Sequence, residues 1–204
     1  MKQLAAVVLT GGKSSRMGTD KAFLPMPNNP NETFLSHTLS LVRHFPVVAL
    51  SVAAEDAKYI SFGYPQIPDQ WPEIGPMGGI ASALSALEAD AVLVLACDTP
   101  YLSPELITRL TDAFKANPDA GCICCTDADG RYQPLCAIYA RSALPCFLEA
   151  IAQEKYALHY VIDQLKTIRL TLDKTLTDQA AANINTPEEY KNISNSQNGE
   201  MQNE

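Results

Sequence analysis

The sequence predicts an α/β fold, a mostly parallel twisted sheet covered by helices on both faces to make three layers. Three observations carry this prediction. Short apolar runs alternate with stretches of helical periodicity along most of the chain, the order that parallel strands with crossover helices require. The runs, such as Leu4-Ala5-Ala6-Val7-Val8 and Ala91-Val92-Leu93-Val94-Leu95-Ala96, are continuously apolar, as strands buried on both faces are. Glycine-rich segments follow or precede these runs, where open α/β sheets build their ligand sites.

In chain order, residues 4–8 form the first strand and empty into a glycine-rich, basic loop. Residues 25–32, with three prolines, read as a polar turn. Phe34, Leu35, Thr38, Leu39, Val42 and Phe45 recur at helical spacing. Residues 47–52 are the second strand, residues 55–62 a short helix, and Gln66-Ile67-Pro68 a short third strand ending at Asp69. Gly75-Pro76-Met77-Gly78-Gly79 is a second glycine-rich loop, feeding a helix over residues 80–87 whose N-terminus favours an anion. Residues 91–96 are the most apolar run and are placed at the sheet centre. Ser103 and Pro104 supply an N-cap and a first-turn proline for the next helix. Residues 121–125 and 135–140 are strands separated by the Asp127-Ala128-Asp129-Gly130 turn. Helices over 142–153 and 158–165 and a strand over 167–172 follow. Thr186, Pro187 and Glu189 form a capping box for a last helix. Residues 1–191 are read as one domain, and the polar residues 192–204 as a disordered tail.

The 204 residues, 47% hydrophobic, suffice for one core. A net charge of -8 and a pI near 4.9 argue against nucleic acid or an anionic membrane as a partner. The apolar run after Met1-Lys2-Gln3 is too short for a secretory signal. No stretch reaches the roughly 20 apolar residues of a spanning helix. A cytoplasmic protein is expected, and its six cysteines should be reduced thiols. Cys122, Cys124 and Cys125 read as small buried hydrophobes, since no second pair stands at zinc spacing. The histidines His37, His44 and His159 show no metal spacing.

Function is carried by Leu9-Thr10-Gly11-Gly12-Lys13-Ser14-Ser15-Arg16-Met17-Gly18-Thr19-Asp20-Lys21. Glycines let the backbone approach a ligand, and successive backbone N–H groups then cradle phosphate. Lys13, Arg16 and Lys21 reverse the sign of an acidic chain locally, as a polyphosphate would require. The spacing fits neither G-x-x-x-x-G-K-[ST] nor G-x-G-x-x-G. Thr10, Ser51, Asp69 and Asp98 each fall at the carboxyl end of a strand, so four loops converge on one crevice. Asp98, directly after the central strand, suits Mg²⁺, which takes one or two carboxylates plus substrate phosphates. The competing reading makes Asp98 a helix cap ahead of Ser103. Asp69 suits a guanine edge, whose N1–H and amino group a carboxylate can accept. The competing reading makes it a turn residue before Trp71-Pro72.

The first segment resembles the nucleotidyltransferase pattern L-x-G-G-x-S-x-R-M-G-x-D-K, and most of all that of the molybdenum cofactor guanylyltransferases. Gly75-Pro76-Met77-Gly78-Gly79, Cys97-Asp98-Thr99-Pro100, Gln133-Pro134-Leu135-Cys136-Ala137 and Asn183-Ile184-Asn185-Thr186-Pro187 match that family's later motifs in order. The resemblance implies a Rossmann-like nucleotidyltransferase fold. It implies that GMP passes from GTP to the terminal phosphate of molybdopterin, with release of pyrophosphate. By position, Leu9, Thr10, Gly11, Gly12, Lys21, Ser51, Asp69, Gly75, Gly79 and Asp98 would hold the nucleotide. Arg16, Lys21 and Asp98 would act in catalysis, with Mg²⁺ on Asp98. Gln133, Asn183 and Asn185 would line the pterin side. Thr10 stands where alanine is usual, and Tyr156 follows Lys155 where the family often has basic residues. Implied partners are GTP, molybdopterin and cofactor-biosynthesis or acceptor proteins, for a monomer or weak homo-oligomer. Alternatives from the same residues are a nucleotidyltransferase using CTP or a sugar-1-phosphate acceptor, and a non-catalytic nucleotide-binding regulator.

Overall fold

The computed structural model describes residues 2–10, 20–27, 29–127, 129–181, 183–184 and 186–191. Gly11, Gly12, Arg16, Asn185 and the tail from 192 lie outside the described residues. β1 (Leu4–Leu9) is buried from Ala5 onward. A 3-10 turn over Lys21–Phe23 leads into an antiparallel ribbon of β2 (Pro25–Met26) and β3 (Asn29–Thr33). Thr33 caps α1 (Phe34–Val42): its hydroxyl accepts from the Ser36 amide, and the Ser36 hydroxyl accepts from the Thr33 amide. β4 (Val48–Val52) is followed by a 3-10 segment, Ala57–Phe62, and by β5 (Gln66–Pro68). Then come α2 (Pro76–Ala86), β6 (Ala91–Ala96) and α3 (Pro104–Ala116). β7 (Cys122–Thr126) and β8 (Tyr132–Ala140) are joined by a turn in which the Asp127 carboxylate accepts from the amides of Asp129 and Arg131. α4 (Leu144–Ala152), α5 (Leu158–Gln164), β9 (Thr167–Leu170) and α6 (Lys174–Ala181) complete the order.

Seven strands form one sheet in the order β5-β4-β1-β6-β8-β7-β9. β1 pairs in parallel with β4 and β6, β4 with β5, and β7 with β9; β8 alone runs antiparallel to both neighbours. The most apolar run is thus the fourth of seven strands, as its composition predicts. Successive residues of each strand alternate between two cores. Ala6, Val8, Leu50, Leu93 and Leu95 pack with Leu35 and Leu39 of α1, Leu106 and Leu110 of α3, and Leu176 of α6. Val7, Ala49, Val92 and Val94 pack with Ile80 and Leu84 of α2, Phe147 of α4 and Val161 of α5. These are the three expected layers.

Two local expectations give way. The prolines of residues 25–32 sit in a ribbon apart from the main sheet, where a missing N–H is tolerated. α2 begins at Pro76, four residues before its periodic stretch, and takes Gly78 and Gly79 into its first turn. Among the described residues, no helix is long and apolar enough to cross a membrane. All six cysteines are free thiols, five of them buried, and no group of three metal-ligating side chains occurs among the described residues.

Candidate functional site

The site is built from the carboxyl ends of β1, β4, β5 and β6 and from the first turn of α2. Thr10 leaves β1 fastened to β4, since its amide and its hydroxyl both donate to the Ser51 carbonyl, at 3.0 and 2.9 Å. The Asp69 amide donates to the Val52 carbonyl at 2.8 Å, which fixes Asp69 at the end of β5. Asp98 lies two residues beyond β6, and its carboxylate accepts from the Lys21 ammonium at 2.9 Å. The two side chains are 17% and 22% exposed, sheltered enough to hold the pair and open enough for a ligand to reach it. The cap of α3 is Ser103, whose hydroxyl accepts from the Leu106 amide. The capping reading of Asp98 therefore fails.

Asp69 accepts from the Trp71 amide at 2.8 Å. Burial pushes its carboxyl above the usual range, against the opposing effects of that amide and the Ser82 hydroxyl. The first turn of α2 lies directly on it. A Cβ on Gly78 would stand 2.7 Å from Asp69 Oδ2 and collide with Oδ1 and with the Trp71 carbonyl. Gly75 precedes the helix at φ +72°, a conformation that side-chain-bearing residues rarely adopt. At Gly79 a Cβ would fall 2.7 Å from Ser51 Oγ and 3.4 Å from Leu9 Cδ2. Ser51 is buried, with its hydroxyl against α2 and its carbonyl taken by Thr10. Its side chain belongs to the packing beneath the helix.

On the other flank, Gln133 at the start of β8 and Asn183 line one cavity of about 230 Å³ with Thr99, Cys136 and Leu158. The Asn183 side chain accepts from the Thr99 hydroxyl at 2.7 Å, and the Ile184 amide donates to the Asp98 carbonyl at 3.0 Å. The C-terminal segment is thereby fastened over the loop after β6. A larger cavity, about 580 Å³, shares Pro76, Pro134 and Leu158 with the first. Arg131, Tyr132, Tyr156 and His159 line it. The Arg169 guanidinium lies 4.8 Å over the Tyr132 ring and donates to its hydroxyl. Lys155 instead turns to Tyr160, over whose ring it sits at 4.4 Å, so Tyr156 takes the cavity wall.

Sequence reasoning misses Arg131, Tyr132 and His159. It also misses Lys58 and Tyr59, which reach Asp20 from the 3-10 segment. The only signal for the first group was a cation and an aromatic just ahead of Gln133-Pro134. The second pair carries no recognisable spacing.

The MobA-like NTP transferase domain matches residues 6–168 of this chain. The molybdenum cofactor guanylyltransferase of Shewanella baltica is 29% identical over 202 residues, covering 94% of this chain and 95% of that protein. The crystal structure of molybdopterin-guanine dinucleotide biosynthesis protein A from Archaeoglobus fulgidus superposes with a TM-score of 0.77 at 23% identity, covering 96% of this chain and 99% of that one. The Rv0371c protein of Mycobacterium tuberculosis, solved in complex with manganese, superposes with a TM-score of 0.65 at 18% identity, covering 95% and 99%.

Proposed function

Because the chain belongs to the MobA-like NTP transferase family, we propose that it is a nucleotidyltransferase moving GMP from GTP to the terminal phosphate of molybdopterin. The observation that carries this reading is the Lys21–Asp98 pair at the carboxyl edge of the sheet, with Asp69 held at the first turn of α2 on one side and the cavity of Gln133 and Asn183 on the other. Asp69, ionised, accepts from the N1–H and amino group of guanine. Lys21 exchanges its carboxylate partner for phosphate oxygens when the triphosphate arrives. Arg16 and the backbone of Gly11 and Gly12 add donors to the same anion. Leu9, Thr10, Gly75 and Gly79 set the backbone positions around it, and Ser51 supports them from below.

The acceptor phosphate is already anionic and needs no general base. It attacks the α-phosphorus of GTP, the bond to the pyrophosphate breaks, and pyrophosphate leaves with the electron pair. Positioning and charge stabilisation carry such a step. Asp98, a hard oxygen donor beside the phosphate site, fits Mg²⁺ held jointly with the GTP phosphates. That ion, when bound, supplies charge neutralisation on phosphate oxygens. The pterin lies toward Gln133, Asn183 and Asn185, and the wider cavity walled by Tyr132 and Tyr156 is of the size that ligand sites have, roughly 300–1,000 Å³. The enzyme acts in the cytoplasm, as a monomer or weak homo-oligomer, and receives its pterin from a cofactor-biosynthesis protein.

The test is pyrophosphate release with GTP, CTP and ATP in turn, in the presence of Mg²⁺ and molybdopterin. Release with GTP alone, dependent on the pterin, is the expected result. Equal release with all three nucleotides removes the guanine assignment, and binding without release makes the protein a regulator.

A further inference from the structure

We propose that Tyr59 is a positioning residue for the triphosphate contacts, its phenol holding Asp20 at the head of the turn and so setting where Lys21 stands. The inference rests on the nucleotide reading above. Asp20 immediately precedes Lys21 and caps the turn that carries it. The Tyr59 hydroxyl donates to Asp20 Oδ2 at 2.9 Å. Tyr59 is buried, and burial raises its phenol above the ordinary value, so it stays a donor at neutral pH.

The turn that carries Lys21 is gripped at both ends. At its start, Asp20 Oδ1 accepts from the Ala22 amide and the Asp20 carbonyl from the Phe23 amide, each at 3.1 Å. At its finish, the Phe23 ring stacks on Tyr59, centroids 5.6 Å apart, and tilts against Phe62. Lys58 Nζ adds a 2.8 Å ion pair to Asp20 Oδ2, which pushes the lysine well above its usual pKa. The Lys21 ammonium thus reaches Asp98 from a turn braced by the crossover between β4 and β5. A long, rotamer-rich cation fixed in advance loses less freedom when phosphate binds.

The test is Tyr59→Phe, which keeps the stacked ring and removes the donor, with Phe147→Leu, in the core on the other face of the sheet, as a packing control. Two quantities are read on each: KM for GTP, and Kd for inorganic triphosphate by competition. In Tyr59→Phe both rise by the same factor, about tenfold for the loss of one hydrogen bond to a charged group, while KM for the acceptor and the thermal midpoint hold. Phe147→Leu lowers the midpoint and leaves both constants near the parent values. Lys58→Met, acting on the same Asp20 oxygen, gives a smaller rise that salt diminishes, and serves if Tyr59→Phe does not fold. Constants within twofold of the parent in Tyr59→Phe overturn the proposal. So does a rise that simply tracks lost thermal stability across the Tyr59 and Phe147 variants. A parent that binds inorganic triphosphate but not GTP counts against the guanylyltransferase reading alone, since the triphosphate still reports on Tyr59.

Discussion

Gly78→Ala sets two effects of opposite sign against each other. Gly78 lies inside α2, where replacing glycine by alanine ordinarily stabilises by about 0.5–1 kcal/mol. Here the new methyl would stand 2.7 Å from Asp69 Oδ2 and overlap Oδ1 and the Trp71 carbonyl, whereas carbon contacts settle at about 3.5–4 Å. The carboxylate can rotate away only by giving up its 2.8 Å bond from the Trp71 amide. The carbonyl is backbone and moves only with the whole loop. Overpacking of this kind costs about 1–3 kcal/mol, and the lost charged hydrogen bond adds about 1.5–3 kcal/mol before any rearrangement. The clash wins. A net loss of about 2 kcal/mol corresponds to roughly 4–8 °C in thermal midpoint for a chain of this size. Calorimetry reads the midpoint, and nucleotide competition reads the preference for GTP over CTP, which should shrink as Asp69 is displaced. Gly79→Ala meets a rotatable Ser51 hydroxyl and should lose less. A Gly78→Ala protein as stable as its parent, with GTP preference intact, would refute the argument that glycine is there to let the helix touch Asp69.

Three further outcomes are expected. Asp98→Asn keeps the fold but slows transfer by about a hundredfold or more, since charge stabilisation worth several kcal/mol is lost; transfer within about threefold of the parent at saturating Mg²⁺ would remove Asp98 from the metal site. Because burial holds the Asp69 carboxyl above its unfolded value, near 3.9, the folded state binds that proton more tightly. The Asp69 contribution to stability therefore falls as pH rises from the unfolded value through the folded one, and Asp69→Asn should abolish that slope in pH-dependent melting. The same raised value makes the GTP preference fade on acidification earlier than an ordinary aspartate would; a preference that tracks the ordinary carboxylate range instead would show that Asp69 does not read the base. A chain ending at residue 193 should keep its melting temperature and GTP affinity, since its last residues are too polar to bury apolar surface; a large loss of either would show that they dock.

The central strands were legible because burial on both faces leaves continuous apolar runs, as in Ala91–Ala96. Strand direction leaves no such trace. Nothing in Tyr132–Ala140 distinguishes an antiparallel strand, and its reversal emerges only from the short Asp127–Gly130 connection. α6 went unread because, among its described side chains, Leu176, Thr177 and Ala180 are the buried ones, too few for a periodic signal. The start of α2 was hidden for the opposite reason. Its glycines oppose helix propensity, and they are there for close approach to Asp69 and Ser51. Of the site, Asp69, Asp98 and Lys21 were readable because strand ends and a contiguous motif locate them. Tyr59 was not, because its role depends on a contact between a 3-10 segment and a turn 36 residues earlier (Phe23 to Tyr59).

The reversal of β8 has a consequence for how this protein can change. Because β8 runs against its neighbours, Tyr132 and Gln133 at its start stand at the same edge where β1, β5 and β6 finish. On the proposed assignment, the nucleotide is held by residues up to α2, and the acceptor by residues from Arg131 onward. The two meet at the loop after β6, which Asn183 and Ile184 fasten, and at Pro76, which opens α2 and lines both cavities. The specificities are therefore written in successive halves of the coding sequence. Drift or recombination confined to the second half can trade one phosphorylated acceptor for another while the inherited nucleotide half stays intact.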